Sequence, residues 1–468
     1  MKNKSILAIL ALSLLAWLSA CQENNTTPAN NSLPSAWISG SSTVNQVGTY
    51  GIQGTAAPTN IPGARHRAVS WRTADGSFWL FGGYGYDSAG DTGHLNDLWK
   101  SDATTHEWAW ISGLDDVDRA GVYGIQGTAD PSNMPGGREH CVSWVDPDGK
   151  LWLFGGIGRD VTRVQGDLND LWKYDPATQQ WTWISGDEYV NQAGNYGTQG
   201  VAAPTNVPGS RDAALSWIDA SGRLWLFGGY GYDSVGDTGH LNDLWRYDPT
   251  TFEWTWVAGS NTINQSGTYG TQGTAAATNI PGARDAAVSW LDSGGEFWLF
   301  GGYGWDSAGS LGYLNDLWKL DPTTLQWTWV SGASTISQKG TYGTQGTDDS
   351  ANVPGARNAA VSWLDASGKL WLFGGYGLNA LSTPGYLNDL WKFDPSNNRW
   401  TWSAGSNSIN QASTYGTQGT ASSSNAPGGR DWAVSWIDSG GKLWFFGGWG
   451  LDSAGAQGEL NDLWYFTQ

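Results

Sequence analysis

Leu95-Asn96-Asp97-Leu98-Trp99 recurs, residue for residue, at Leu168, Leu241, Leu314, Leu387 and Leu460. Each copy begins 73 residues after the one before (95, 168, 241, 314, 387, 460). A fixed period of this length means one structural unit copied in tandem. Six units that cannot each bury a hydrophobic face alone must bury it against one another, in a ring or a stack.

The third copy shows what one unit is. Residues 211–219 (RDAALSWID) are apolar and β-prone, and Ala220-Ser221-Gly222 is a turn. Residues 223–227 (RLWLF) form a second strand, ended by Gly228-Gly229. Residues 242–247 (NDLWRY) form a third, Asp248-Pro249-Thr250-Thr251 a turn, and residues 254–257 (WTWV) a fourth. The helical period is absent. Four short antiparallel strands repeated radially make an all-β propeller, here with six blades. Each full copy carries five tryptophans (Trp71, Trp79, Trp99, Trp108 and Trp110 in the first), and aromatics this regular are core residues.

These residues resemble the kelch repeat. An Arg opens the first strand, Gly-Gly follows the second, an aromatic sits in Asn-Asp-Leu-Trp on the third and Trp on the fourth. The resemblance covers residues 35–468. It is specific for fold and weak for function. The last copy stops at Leu463-Trp464-Tyr465-Phe466 and lacks the fourth strand, while Trp37-Ile38-Ser39-Gly40 lies 73 residues before Trp110-Ile111-Ser112-Gly113. The N-terminal segment is therefore expected to close the ring as the outer strand of the sixth blade.

Of the 468 residues, the first 20 read as a targeting segment: a basic start at Lys2 and Lys4, then an apolar run. Leu18-Ser19-Ala20-Cys21 resembles the lipobox of bacterial lipoproteins. That resemblance implies acylation of Cys21 and a place in the bacterial envelope, on the outer membrane or cell surface, with the membrane reached through this lipid alone. Residues 21–34, rich in Asn, Thr and Pro, read as a disordered tether. The net charge of −19 argues against nucleic acid as a partner. Much of the acid repeats with the motif (Asp97, Asp170, Asp243) and is expected in turns and caps at the surface.

In an antiparallel blade, the link from strand two to three and the link to the next blade fall on one face. Both are long; the second spans residues 114–137. That face is the expected binding surface. Within the long link Tyr-Gly-x-Gln-Gly repeats from Tyr50 to Tyr415, which suggests packing on a neighbouring blade. Arg65, Arg138 and their four equivalents open the inner strands, and the residue after each is usually acidic. They read either as an Arg–carboxylate ring locking the blades or as a charged mouth. A second ring, Tyr84, Tyr230, Tyr303, Tyr376 and Trp449 with Ile157 as the exception, suits sugar stacking or loop anchoring.

An asymmetric site must lie where the copies differ. His66-Arg67 and Glu139-His140 replace the usual Asp-Ala. Trp432 replaces Ala, Trp449 replaces Tyr, Glu459 replaces His or Tyr, and Arg159 stands in an unusual loop. These departures adjoin on blades six, one and two once the ring closes. The expectation is an envelope-anchored module binding a glycan or a protein partner there. The alternative is a sugar-processing enzyme of the mutarotase or epimerase kind, with Glu139 and His66 or His140 as its acid–base pair. Kelch-type propellers include galactose oxidase, but the five histidines are His66, His94, His106, His140 and His240, and they do not supply its copper set; no cofactor is expected. Calcium stays open, through Asp87, Asp91 and Asn96-Asp97.

Overall fold

The computed structural model describes residues 33–468. The targeting segment, Cys21 and all but the last two tether residues lie outside the described residues. Leu33 already packs on the core, and the Pro34 carbonyl accepts a hydrogen bond from the Thr467 amide.

Blade two shows the common plan. Val142–Val145 is the inner strand, followed outward by Leu151–Arg159, Gln165–Asp175 and Gln180–Ser185, all antiparallel. The inner strand alternates buried and half-buried residues, and the second is buried along most of its length. Its apolar side chains fill the space between blades. There are six such clusters, one at each blade–blade interface. The cluster that joins Trp436, Phe446 and Leu463 of blade six to Phe78, Leu80 and Trp99 of blade one closes the circle.

Ser35–Ser39 is the outer strand of the sixth blade, with Ala36 opposite Tyr465 and Trp37 opposite Trp464. Trp37 meets Tyr415 edge-on at 5.0 Å.

Three local expectations need correction. The second strand does not end at Gly-Gly. In blade three it runs through Leu224–Tyr232, and the third strand begins at Thr238. Gly228 and Gly229 form a bulge, at φ 65° and 96°, that shifts the register and lets the strand continue. A Cβ at Gly228 would meet the Arg284 carbonyl of the next blade at 2.8 Å. Tyr230 is thus held on a strand, not in a loop.

The inner strand is broken where continuity was expected. Its second residue after the Arg is left-handed in every blade: Arg67, His140, Ala213, Ala286, Ala359 and Trp432, with φ between 50° and 59°. For a residue with a Cβ this costs about 1–2 kcal/mol. The turn swings that residue's peptide groups out of its own blade. Each amide then donates to the carbonyl of the same residue one blade back, at 2.8–3.1 Å, and the six bonds form a closed circle around the axis. One level along the axis, Ser70, Ser143, Ser216, Ser289, Ser362 and Ser435 form a second circle, each Oγ on the preceding serine's carbonyl.

The aspartates of the repeated motif are buried rather than at the surface. Asp97, Asp170, Asp243 and their equivalents are 0 % exposed. Asp170 accepts both terminal nitrogens of Arg138 at 2.6 and 2.8 Å, the Tyr123 hydroxyl at 2.6 Å and the Trp172 indole at 2.7 Å. Arg138 also donates to the carbonyls of Gly136 and Gly155. The ion pair is fully desolvated and fully hydrogen-bonded, so removing one partner would cost about 3–5 kcal/mol.

The long links owe their length to the outer edge. Residues 114–137 leave blade one, reach the outer strand of blade two and return to the axis. Gly127 donates to the Trp183 carbonyl, Asp130 bridges Trp181, and Asn133 donates to the Trp181 carbonyl. Each link covers the open edge of the blade it enters, which is the packing expected of Tyr-Gly-x-Gln-Gly.

Deleting residues 33–40 leaves the Leu463–Phe466 edge unpaired. The variant should melt several degrees lower than the full chain and aggregate with concentration by light scattering; an unchanged midpoint would contradict ring closure by this strand.

Candidate functional site

The six Arg–Asp pairs are spent on structure. Arg65 and Arg138 are 1 % exposed and bound to Asp97 and Asp170. They do not reach the mouth of the ring, and they do not pair with the acids that follow them. Those acids are free for other work.

The residue after each Arg leans toward the preceding blade and meets the residue that stands before its Leu-Asn-Asp. His66 Nδ1 lies 2.7 Å from Glu459 Oε2. Glu139 Oε1 lies 3.6 Å from His94 Nε2, and Asp285 Oδ2 lies 3.8 Å from His240 Nε2. Asp212 and Asp167 face each other as two carboxyls, and Asp431 acts electrostatically on Tyr386. These interblade pairs form the wall of an axial cup on the long-loop face.

Its floor is made by the left-handed residues. Three of them are large and sit on adjacent blades. The His140 and Trp432 rings approach to 4.1 Å, and the Arg67 guanidinium lies 5.8 Å from the Trp432 ring. Together they plug the axis, and Ala213, Ala286 and Ala359 are buried opposite them.

The rim is a girdle of aromatic rings held in cross-strand pairs by the bulged strands, with the tyrosines and Trp449 partly open to solvent and His66, His94 and His240 buried between them. Tyr230, His240, Tyr303, Tyr313, Tyr376 and Tyr386 follow one another with centroids 5.1–5.8 Å apart. Trp449, His66, Tyr84 and His94 continue it at 5.4–6.0 Å. Blade two interrupts the girdle, with Ile157 opposite Asp167. Arg159 stands outside this gap, tied to Asp118 at 3.1 Å. Of the residues singled out in the sequence, His66, Arg67, Tyr84, Glu139, His140, Trp432, Trp449 and Glu459 thus come together, while Arg65, Arg138 and Arg159 do not.

The electrostatics divide the cup's acids. Burial pushes Glu139 up, but His94 and Arg67 outweigh it and hold the carboxyl well below the usual carboxylate range. It is therefore ionised throughout the ordinary range and a poor proton acceptor. Burial and the nearby Arg67 push His140 down to about 3, so its imidazole is neutral, with Nδ1 2.8 Å from Asp212. Burial raises Asp212 to about 7, with Glu139 adding to it, and Asp285 to about 8, with Asp212 adding to it. Burial alone takes Asp431 to about 7 against the pull of Arg67. Glu459 is also raised by burial, less so because His66 bonds it. Oδ1 of Asp212, Asp285 and Asp431, Nε of Arg67 and Nε2 of His140 are buried without a protein partner. Buried polar atoms in native proteins are nearly always paired, so a cluster of unpaired ones marks a ligand site.

His94, Asp167, Asp212, Asp285 and Asp431 were not singled out as site residues from the sequence. Both columns of residues are visible in the repeat. What the repeat does not show is that one column meets the other across the blade boundary.

Two further cavities lie in grooves between blades. One of about 510 Å³ is lined by Asn315, Gln338 and Asn352, and its equivalent one blade earlier, of about 520 Å³, by Asn242, Gln265 and Asn279. Lys339 is the sole ionisable residue in the pair, so acid–base chemistry belongs to the cup. Of the oxygens considered for calcium, Asp87 Oδ1 accepts three backbone amides and Asp97 holds Arg65. Among the described residues no three His, Cys, Asp or Glu side chains converge as a metal site. Cys141 lies under Glu139, donating to the Gly155 carbonyl, and burial pushes its thiol up to about 12. His106, in a tight turn of the opposite face, meets the Trp444 ring at a tilt, 4.5 Å between centroids.

Residues 147–182 match the kelch motif. The chain is 27% identical over 188 residues to N-acetylneuraminate epimerase 2 of Escherichia coli O6:H1, an alignment covering 34% of this chain and 47% of that protein. It is equally similar, over the same shares, to N-acetylneuraminate epimerase of Shigella boydii serotype 4. The chain thus spans about half the length of the curated relatives it matches. A solved structure, described as that of YjhT, superposes over 86% of this chain and 95% of its own, at 16% identity and a TM-score of 0.51. That likeness is one of fold. The chain thus has the fold of a kelch-type β-propeller and a distant sequence similarity to these epimerases.

An acid whose folded pKa is raised binds its proton more tightly folded than unfolded. Its contribution to stability is complete below about pH 4 and is lost as pH rises toward the folded value, about 8 for Asp285. Asp285→Asn should therefore match the wild type near pH 4 and overtake it by pH 8, by on the order of 1–2 kcal/mol once solvent at the cup is allowed for. Urea unfolding at the two pH values reads this directly; a difference that does not change with pH would contradict it.

Proposed function

We propose that the axial cup binds a sugar and interconverts its anomers. The observation that carries this reading is the His66–Glu459 dyad. It is seated between the rings of Trp449, at 5.8 Å, and Tyr84, at 6.0 Å, and the next wall residue round the ring is Asp431 with its unpaired buried oxygen. The distant sequence similarity to sugar epimerases supports the reaction class. Sugars stack their C–H faces on aromatic rings and need polar partners for their hydroxyls. The cup offers both.

Anomer exchange needs one base and one acid. The His66 imidazole, oriented by Glu459, takes the proton of the anomeric hydroxyl. The Asp431 carboxyl, near neutrality at about 7, gives a proton to the ring oxygen. The bond between the anomeric carbon and the ring oxygen breaks, its electron pair goes to that oxygen, and the anomeric C–O becomes a carbonyl. Rotation and reversal of the two transfers give the other anomer, with both groups restored. Glu139, fixed as an anion, orients His94 and Arg67 instead of exchanging protons.

Saturation transfer between anomer signals in proton NMR tests this. The protein should speed exchange of a free reducing sugar well above the buffer rate, and Glu459→Gln should remove about 10²-fold of that gain. Exchange at the buffer rate, with sugar bound, would contradict turnover and leave the cup as a glycan-binding site.

Attachment to a bacterial membrane through Cys21 is part of the same proposal and rests on the sequence alone. A clickable fatty acid supplied to expressing cells should label the wild-type chain and not Cys21→Ser; equal labelling of both would contradict it.

A further inference from the structure

The wall of the cup is unbalanced in charge. Glu139, Asp167, Asp212, Asp285, Asp431 and Glu459 bring six carboxyl groups to it. Arg67 is the one guanidinium at the floor, and it already lies 3.3 Å from Glu139. Asp212 is 7 % exposed, and its Oδ1 has no protein donor; Oδ1 of the adjacent Asp285 likewise has none. Tyr230 stands across the strand pair from Asp212 and Tyr303 from Asp285, with the His240 ring between the two tyrosines.

This setting decides which ligand charge is tolerated. A ligand carboxylate is an acceptor only. It would add a like charge to this part of the wall and leave the Asp212 and Asp285 oxygens unpaired, since the unpaired donor Arg67 Nε belongs to a guanidinium beside Glu139. An ammonium group does the opposite. It brings positive charge to the carboxyls and the aromatic faces beside it attract cations, whether or not it also carries N–H groups for the buried acceptors.

We propose that the axial cup selects a sugar bearing a positively charged nitrogen, held by Asp212 and Asp285 beside the Tyr230–Tyr303 segment of the girdle. This deepens the reading of the cup as a sugar site and rests on it. It separates this chain from the N-acetylneuraminate named for its relatives, which carries a carboxylate. Binding also moves protons. Asp212 at about 7 and Asp285 at about 8 are largely protonated in weak acid, and a cation beside them ionises them and releases protons to the buffer.

Titration calorimetry of the full chain tests the proposal with three probes. These are N,N,N-trimethylglucosamine, whose charge does not titrate, neutral N-acetylglucosamine, and anionic glucuronate. At pH 8 the trimethyl sugar should bind at least tenfold more tightly than N-acetylglucosamine, and glucuronate more weakly than either. Affinity for the cation should fall at least fivefold from pH 8 to pH 6, and buffers of different ionisation heat should report proton release. Asp285→Asn should weaken the cation about tenfold while changing N-acetylglucosamine less than twofold. Asp212→Asn provides the same contrast if the first variant folds poorly. Glucuronate binding tightest, a neutral sugar matching the cation, or no binding by any probe would overturn the proposal. Anomer exchange of N-acetylglucosamine without a cation preference leaves the catalytic reading standing and sinks this one. A cation preference without exchange upholds this one and sinks the catalytic reading.

Discussion

A buried carboxylate holds each blade together. Asp97 and its five equivalents take two bonds from the guanidinium that opens the inner strand, one from a tyrosine of the long link and one from the indole two residues on. One oxygen pair thereby joins the innermost strand, the third strand and the link that wraps the outer edge. Everything else is placed relative to that node. Because Arg65 is tied beneath the mouth, the residue after it is presented to the preceding blade. Because the link is pinned by Tyr50, it can run out to the edge and return.

Around this node the fold separates a symmetric scaffold from an asymmetric surface. The two axial hydrogen-bond circles involve backbone and serine, so they accommodate side chains as different as Ala, Arg, His and Trp at the left-handed position. Blades three, four and five place Ala there, while blades one, two and six place Arg67, His140 and Trp432. The scaffold does not depend on that choice, and the cup's chemistry does. The same holds for the wall and rim, where the bulge at Gly-Gly carries the strand past the blade's core. The positions it presents hold Tyr, Trp or Ile in one column and His, Asp, Tyr or Glu in the other.

The architecture was legible because its signals are local or periodic: the 73-residue spacing, the four strand-like runs, and Trp37 standing one period before Trp110. The buried aspartates were not. Arg65 lies 32 residues before Asp97 and Tyr50 lies 47 before it, in all six copies. In a strict repeat, however, every pair of residues keeps a constant offset, so constancy does not mark a contact. An acid between Leu and Trp reads as a surface group until the Arg is seen to reach it. The cup was half legible for a related reason. Departures from the consensus pointed to blades six, one and two, and His66, Glu139 and Glu459 do meet there. Asp212, Asp285 and Asp431 match the consensus, so departure could not find them. Their unpaired oxygens come from a geometry in which each acid faces the preceding blade instead of its own Arg.

On the proposed reading, recognition happens in the axial cup and not in the polar grooves between the blades. A crystal structure of the chain with a bound monosaccharide tests this most directly. The account predicts sugar density over Trp449 and Tyr84, within hydrogen-bonding distance of His66 and Asp431. Density confined to the grooves beside Asn315 and Asn242, with the cup unchanged, would contradict it.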